Sequence, residues 1–158
     1  MLVPAILYKE EIYKRSLEYF YTDELFYYMG GLYNSPIIIN DEPNKGNYQF
    51  AIINSAKELI GYLEYFVDYY SSNVSRFGYI SFDRGNIIVG RDVYRKIDEL
   101  INRFHRIEWR AIGGNPACKG YDRIMTKYGG NKHVLKDAVK DKYGAYHDDI
   151  IYEIITNN

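Results

Sequence analysis

The sequence holds a single cysteine, Cys118, among 158 residues. No intrachain disulfide can staple it, which fits a reducing compartment, so a cytoplasmic protein is expected. No apolar run approaches the roughly 18 residues a membrane helix needs. The opening "MLVPAILYKEEIYKR" meets charge too early for a secretory leader, so no membrane partner is expected. The formal net charge is only −1. The whole-chain field therefore gives no reason to expect nucleic acid or an anionic surface, and an aromatic RNA-binding module would lack its basic patch. Both the Lys-Ser/Thr of a Walker loop and a G-x-G-x-x-G turn are missing. Ligand clusters with metal spacing are missing too. In "HDD" (His147–Asp149) neighbouring residues on a strand point to opposite faces, and His105 and His133 read as capping or surface residues, so no metal is expected.

What is abundant is tyrosine, 19 in all. AT-rich coding, with its accompanying Ile, Asn and Lys, explains the count, and an aromatic ligand surface is the sharper alternative. The length favours one domain, residues 1–158. A helical segment (1–33) opens it, with a first helix from about Ala5 to Phe20. A second is capped by Thr22, has Asp23 and Glu24 in its first turn, and is stopped by Gly30-Gly31. Asn34 to Asn47, with its prolines and glycine, reads as a flexible joint. Residues 48–82 hold three strand runs, "YQFAIIN", "ELIGYLEYFVDYY" and "VSRFGYISF", expected to form an antiparallel meander.

Then comes a helix from about Arg91 to Phe104, with Val93, Ile97, Leu100, Ile101 and Phe104 on one face. Asp92–Lys96 and Glu99–Arg103 are spaced as ion pairs on its outer face. "RIEWRAI" follows as a strand. The Asn115-Pro116 step opens a helix with Tyr121, Ile124, Met125 and Tyr128 on its apolar side, closed by Gly129-Gly130. Residues 133–155 fit a helix or a hairpin equally well by pattern. The expected fold class is α/β (α+β): a mixed, mostly antiparallel central sheet with helices on both faces.

The stretch "SFDRGNIIVGRD" places Gly85 and Gly90 where a strand hands over to a helix. Free backbone N–H groups and the helix dipole make such a place an anion site, and Arg84 adds a charged donor. An ordinary β–α turn is the plainer reading. Ile87, Ile88 and Val89 are β-branched and unfriendly to positive φ.

Taken in order, these motifs resemble the GNAT superfamily of acetyl-CoA-dependent N-acetyltransferases. "SFDRGNIIVGRDVYRKIDELI" is similar to that family's strand, pyrophosphate loop and helix. "NPAC" (Asn115–Cys118) resembles the Asn-Pro-Ala-Ser of the branch that acetylates ribosomal-protein N-termini. "KDAVKDKYGAYHDDIIYEI" resembles its closing hairpin, which decides the tail in favour of strands.

The resemblance implies acetyl transfer from acetyl-CoA, the co-substrate, to an amine of a small molecule or protein, by a monomer or homodimer. A catalytically silent binding or inhibitor module of the same fold stays open as the alternative. The coenzyme would be bound by Ser81, Phe82, Asp83, Arg84, Gly85, Asn86, Gly90 and Arg91, its diphosphate on the N–H groups of Arg84 to Gly90. Asn115 would reach the adjoining backbone or the pantetheine arm, which would lie between strands ending near Phe82 and Ile112.

Tyr121, six residues after Asn115, is the candidate acid for the departing thiolate. Glu64 is the candidate base. With Asp68 it shares one side of a strand among aromatic residues that could raise a carboxyl pKa, and Glu108 is the runner-up. Cys118 has no histidine near it in sequence to make it a nucleophile. The aromatic, acidic segment "EYFYTDELFYYMGGLY" is expected to receive the amine through its carboxylates.

Overall fold

The structure, a computed structural model, describes residues 1–20, 22–28, 37–42 and 45–157. Leu2–Pro4 forms a short strand, β1, that pairs antiparallel with Phe50–Ile52. A 3-10 turn (Ala5–Tyr8) leads into α1 (Lys9–Phe20), which buries Ile12 and Ser16. The second helix, α2, covers only Leu25–Tyr28. Thr22 does not cap it through its side chain: the Oγ1 donates back to the Tyr19 carbonyl, 2.8 Å. The expected stop at Gly30-Gly31 lies outside the described residues. In the expected joint, Ile37 and Ile39 are buried against the α1 side of the sheet, and Ser16 Oγ accepts from the Ile37 amide.

The meander forms as its alternation dictates, from β2 (Asn47–Ile53), β3 (Leu59–Asp68) and β4 (Asn73–Ser81). α3 (Ile87–Ile101), β5 (Arg106–Ile112), α4 (Cys118–Tyr128), β6 (Asn131–Lys140) and β7 (Tyr146–Ile155) complete the order. One seven-stranded sheet results, in the order β1-β2-β3-β4-β5-β7-β6. Only β4 and β5 run parallel, as the intervening helix requires. The tail is a strand pair, and its outer strand β6 is exposed nearly throughout.

One face of the sheet is sealed by α3, through Ile97 and Leu100, and by α4, over Leu63, Tyr65, Phe77, Ile107, Trp109 and Tyr152. The other is sealed by α1 over Ala51, Tyr62, Ile80 and Phe82, all from the first half of the sheet. On that second face, Arg106, Glu108, Arg110, Asp149 and Glu153 stay half-buried or exposed. They alternate with Ile107, Trp109, Ala111, Ile150 and Tyr152, which point under the helices.

α3 starts at Ile87, earlier than its apolar periodicity indicates, because Asn86 acts as its N-cap and accepts from the Ile88 amide at 2.8 Å. Asp92 falls beside Val89 and Val93 on the buried side of this helix. It is 3% exposed and makes no ion pair with Lys96, which lies over the Phe50 ring. Its carboxylate binds the Met1 ammonium and Arg91 instead. Burial alone would raise this carboxyl, but those two cations outweigh it and hold the pKa below the usual aspartate value. Glu99 keeps its expected partner Arg103 and also takes Lys96.

Candidate active site

The site is made by a defect in the sheet. β4 and β5 share two rungs, Asn73–Arg106 and Val74–Ile107, and then separate. The separation follows an irregularity in the β3–β4 register, where Glu64 faces Gly78 but Phe66 faces Ser75. One extra residue is thus inserted in β4, and Arg76 takes a left-handed φ of 51° to fit it. A bulge of this kind sharpens local twist and turns a strand away from its neighbour. Beyond it, Ser75 to Ser81 lose their β5 partner, and a cleft of about 960 Å³ opens between the strands.

Ser75, Phe77, Tyr79 and Ser81 line one wall of the cleft, and Glu108, Trp109 and Arg110 the other. Asn115 and Tyr121 come from α4 and its approach, Arg84 and Gly85 from the loop before α3, Glu24 and Tyr27 from α2 and its approach. The short α2 segment ties the two lips together. Arg84 forms an ion pair with Glu24, and Asn115 Nδ2 donates to the Tyr27 carbonyl, 3.3 Å. Asn115 Oδ1 accepts from the Ala117 amide at 2.9 Å and so starts α4 as well.

Several residues singled out in the sequence therefore meet here: Ser81, Arg84, Gly85, Asn115 and Tyr121 all line the cleft. Gly85 has φ 73°, and a Cβ built on it meets nothing within 4 Å. The isoleucines do not obstruct the helix start. Ile87 is 86% exposed, and Val89 is buried beneath the helix. Within the first turn Asn86 satisfies the Ile88 amide, and among the described residues the Ile87 and Val89 amides have no protein acceptor.

Other expected residues stand elsewhere. The Phe82 ring is buried against Tyr19 and Arg15; its amide donates to Ile60 and its carbonyl accepts from Arg15. It belongs to the α1 side of the core and has neither backbone group free for a ligand. Asp83 and Asn86 bind each other and stabilise the turn without lining the cleft. Gly90 lies inside α3 and Arg91 is exposed beyond it, neither of them on the lining.

Glu64 also stays outside the cleft. The Tyr62 hydroxyl, at 2.5 Å, and Gln49 hold it on the α1 side of the sheet. Strand alternation identified its face correctly, but that face turns toward α1. Asp68 lies at the exposed end of β3, where hydrogen bonds from Ser71 and the Tyr70 amide lower its pKa instead of raising it.

Glu108, the runner-up, is the candidate base that the structure does bring to the cleft. It sits one residue past the last β4–β5 rung, with Arg106 Nη2 at 2.8 Å. The same nitrogen binds Glu153 at 2.7 Å. Burial alone would raise the Glu153 carboxyl, but Asn131, His133 and Arg106 together hold it below its usual value. His133, read from sequence as a capping or surface residue, joins this group through Glu153 and lines the cleft.

Across the gap, Tyr121 is 7% exposed, edge-on to Trp109 and Tyr79 at 5.4 and 6.4 Å. Burial pushes its phenol well above the ordinary tyrosine value, so it stays protonated. The acids expected to receive an amine are already engaged, Asp23 by Lys142 and Tyr143 and Glu24 by Arg84. Among the described residues no group of His, Cys, Asp and Glu could hold a metal ion. No helix among them is long and apolar enough to cross a membrane.

No protein-family model and no curated protein matches the chain. Solved structures do match. The spermidine/spermine N-acetyltransferase SpeG of Vibrio cholerae is 19% identical with TM-score 0.57, over 71% of this chain and 66% of that one. The ribosomal-protein-S5-alanine acetyltransferase of Vibrio fischeri is 21% identical with TM-score 0.54, over 72% and 63%. A further structure of the V. cholerae enzyme, in complex with CoA and spermine, is 19% identical with TM-score 0.56, over 70% and 66%. This chain thus spans less than two thirds of the length of each of these proteins. The mixed seven-stranded sheet with its parted central strands is the fold of the GNAT acyl-CoA N-acyltransferases, the family the sequence motifs resemble.

Proposed function

We propose that this chain transfers an acetyl group from acetyl-CoA to an amine. The observation that carries this reading is the opening between β4 and β5 directly below the α3 N-terminus. It offers a strand edge for an extended amide-bearing arm, and its Arg84–Gly85 lip leads into the start of α3, where the Ile87 and Val89 amides stay unpaired and suit a diphosphate. The residues present fit the coenzyme: Gly85 leaves a lip free of side chain, and Arg84 stands beside it. Arg84, the Gly85 backbone and the Ile87 and Val89 amides would hold the diphosphate, and the unpaired edge of Ser75–Ser81 would hold the arm.

When bound, acetyl-CoA supplies a thioester whose acyl carbon accepts an amine. The chain's own residues handle the protons. Glu108, on the open face, takes one from the acceptor nitrogen as the N–C bond forms. Tyr121, beneath α4, holds the one that the sulfur receives as the C–S bond breaks. The two groups reach the gap from opposite sides of the sheet, so amine and coenzyme enter from different faces. The acetyltransferase neighbours named above, with spermidine, spermine and a ribosomal protein in their descriptions, support the reaction class.

Isothermal titration with acetyl-CoA tests the reading. Binding accompanied by thiol release in the presence of an amine supports it, and no heat at millimolar coenzyme overturns it. Binding without turnover on any amine would favour a silent module of the same fold.

A further inference from the structure

The charges of the cleft restrict the acceptor. Three carboxylates line it, Glu24, Glu108 and Glu153, and each is already held by an arginine: Glu24 by Arg84, the other two by Arg106. Four guanidiniums line it, Arg76, Arg84, Arg106 and Arg110, so the cations of the lining outnumber its carboxylates by one before His133 is counted. Arg110 is taken by Asp149 at 2.6 Å. Arg76 alone among these arginines has no carboxylate partner among the described residues; its guanidinium lies over the Phe66 ring, 6.0 Å from the centroid.

The position of Arg76 matters as much as its charge. It belongs to the bulge that parts the strands, two residues beyond the Val74–Ile107 rung. Phe66 alternates with Tyr65 and Val67, which are buried under α3, just as Arg106 and Glu108 alternate with Ile107 and Trp109. Arg76 therefore shares the open face with Glu108, at the closed end of the cleft. The lip that suits a diphosphate, Arg84 and Gly85, lies at the other end of β4. At that closed end an amine entering from the open face meets one unpaired cation, while Glu108 and Glu153 are both held by Arg106; Glu24, whose partner Arg84 serves the diphosphate, stands at the far lip. A polycation is poorly matched to that mouth. A molecule bearing a carboxylate as well as its amine is well matched, because a guanidinium grips a carboxylate through paired N–H donors.

We infer that the acceptor is an amino acid or a close derivative, its carboxylate bound by Arg76 and its amine directed to Glu108. This rests on the transferase reading above. Arg76 is then a specificity-determining residue and takes no part in proton transfer.

The test measures kcat/KM from thiol release by the full chain with saturating acetyl-CoA. The acceptors are matched pairs that differ only in a carboxylate: lysine and cadaverine, tyrosine and tyramine, arginine and agmatine, with spermidine alongside. The carboxylated member should be preferred by about tenfold to a hundredfold, the range expected for one charge-assisted hydrogen bond. Arg76→Gln should abolish that preference while leaving kcat/KM for the carboxylate-free member within about twofold, and Arg76→Lys should restore part of it. Equal or better use of the carboxylate-free members or of spermidine overturns the inference. So does a preference that survives Arg76→Gln. If coenzyme binds but no acceptor in the panel is acetylated, the inference about the acceptor is likewise overturned and the coenzyme site stands. Failure to bind coenzyme removes the transferase reading itself.

Discussion

Two glycines in one short stretch, Gly85 and Gly90, should respond oppositely to the same substitution. At Gly85 the backbone has φ 73°, and a Cβ would meet nothing within 4 Å. Gly85→Ala therefore creates no clash in the folded protein, but it forces an L-residue into the left-handed region at about 1–2 kcal/mol. For a chain of this length 1 kcal/mol shifts Tm by about 2–4 °C, so the melting point should fall by about 2–8 °C. Gly90 sits one turn into α3, also with open space around it. Gly90→Ala removes backbone freedom from the unfolded chain and adds a good helix former, worth about 0.5–1 kcal/mol, so Tm should rise by about 1–4 °C.

Binding separates the two positions again. Gly85 is on the cleft lining and Gly90 is not. Gly85→Ala should weaken coenzyme by about tenfold, equivalent to about 1.4 kcal/mol, while Gly90→Ala should leave Kd within about twofold. Circular-dichroism melts and calorimetric titration of both variants provide the measurements. A lower Tm for Gly90→Ala would show that α3 does not begin at Ile87. Equal losses of affinity at the two positions would show that the diphosphate lies along the helix and not at the lip.

Other substitutions probe the remaining parts of the site. Glu108→Gln should lower kcat by about 10²–10⁴-fold with little change in coenzyme affinity, whereas Glu64→Gln should leave kcat nearly intact; steady-state kinetics on both variants decides between the two carboxylates. Tyr121→Phe should lower kcat by about 10²-fold or more without a large loss in Tm, since the ring and its packing on Trp109 and Tyr79 are retained. The single tryptophan, Trp109, lines the cleft and stacks on Tyr152, so its emission should change on titration with coenzyme, and Trp109→Phe should abolish that signal. Asp92 and Glu153 both have folded pKa values below their unfolded ones. The stability they contribute is complete above their unfolded values of about 4 and is lost as pH falls through the folded values; a Tm–pH profile should flatten on its acid side in Asp92→Asn.

Periodicity carried the reading of the fold furthest where each element makes its own pattern. The meander, the apolar face of α3 and the Asn115 start of α4 were all legible because local spacing determines them. β1 was not, because three residues carry no period, and its partner β2 lies far along the chain. The start of α3 was misplaced because Ile87, Ile88 and Val89 look strand-like, and only the Asn86 cap reveals that they already wind.

The site was harder to read for a similar reason. Alternation puts Glu64 and Glu108 each on one face of its own strand, but which face adjoins the cleft depends on where the sheet splits. That split follows a bulge at Arg76, a non-glycine residue at positive φ, which no local propensity announces. The engagement of Asp23 by Lys142 joins residues from opposite ends of the chain and was equally invisible.

Both margins of the sheet are unsuited to strand addition. On one side β1 is three residues long and ends at Pro4, which has no amide hydrogen to donate. On the other, β6 carries Lys132, Lys136 and Lys140, and its pairing with β7 is interrupted between Leu135 and Val139, where Asp137 takes a φ of 53°. A neighbouring molecule would therefore find a kinked, lysine-bearing border at β6 and almost no border at β1, two devices by which open sheets resist fibrillar growth.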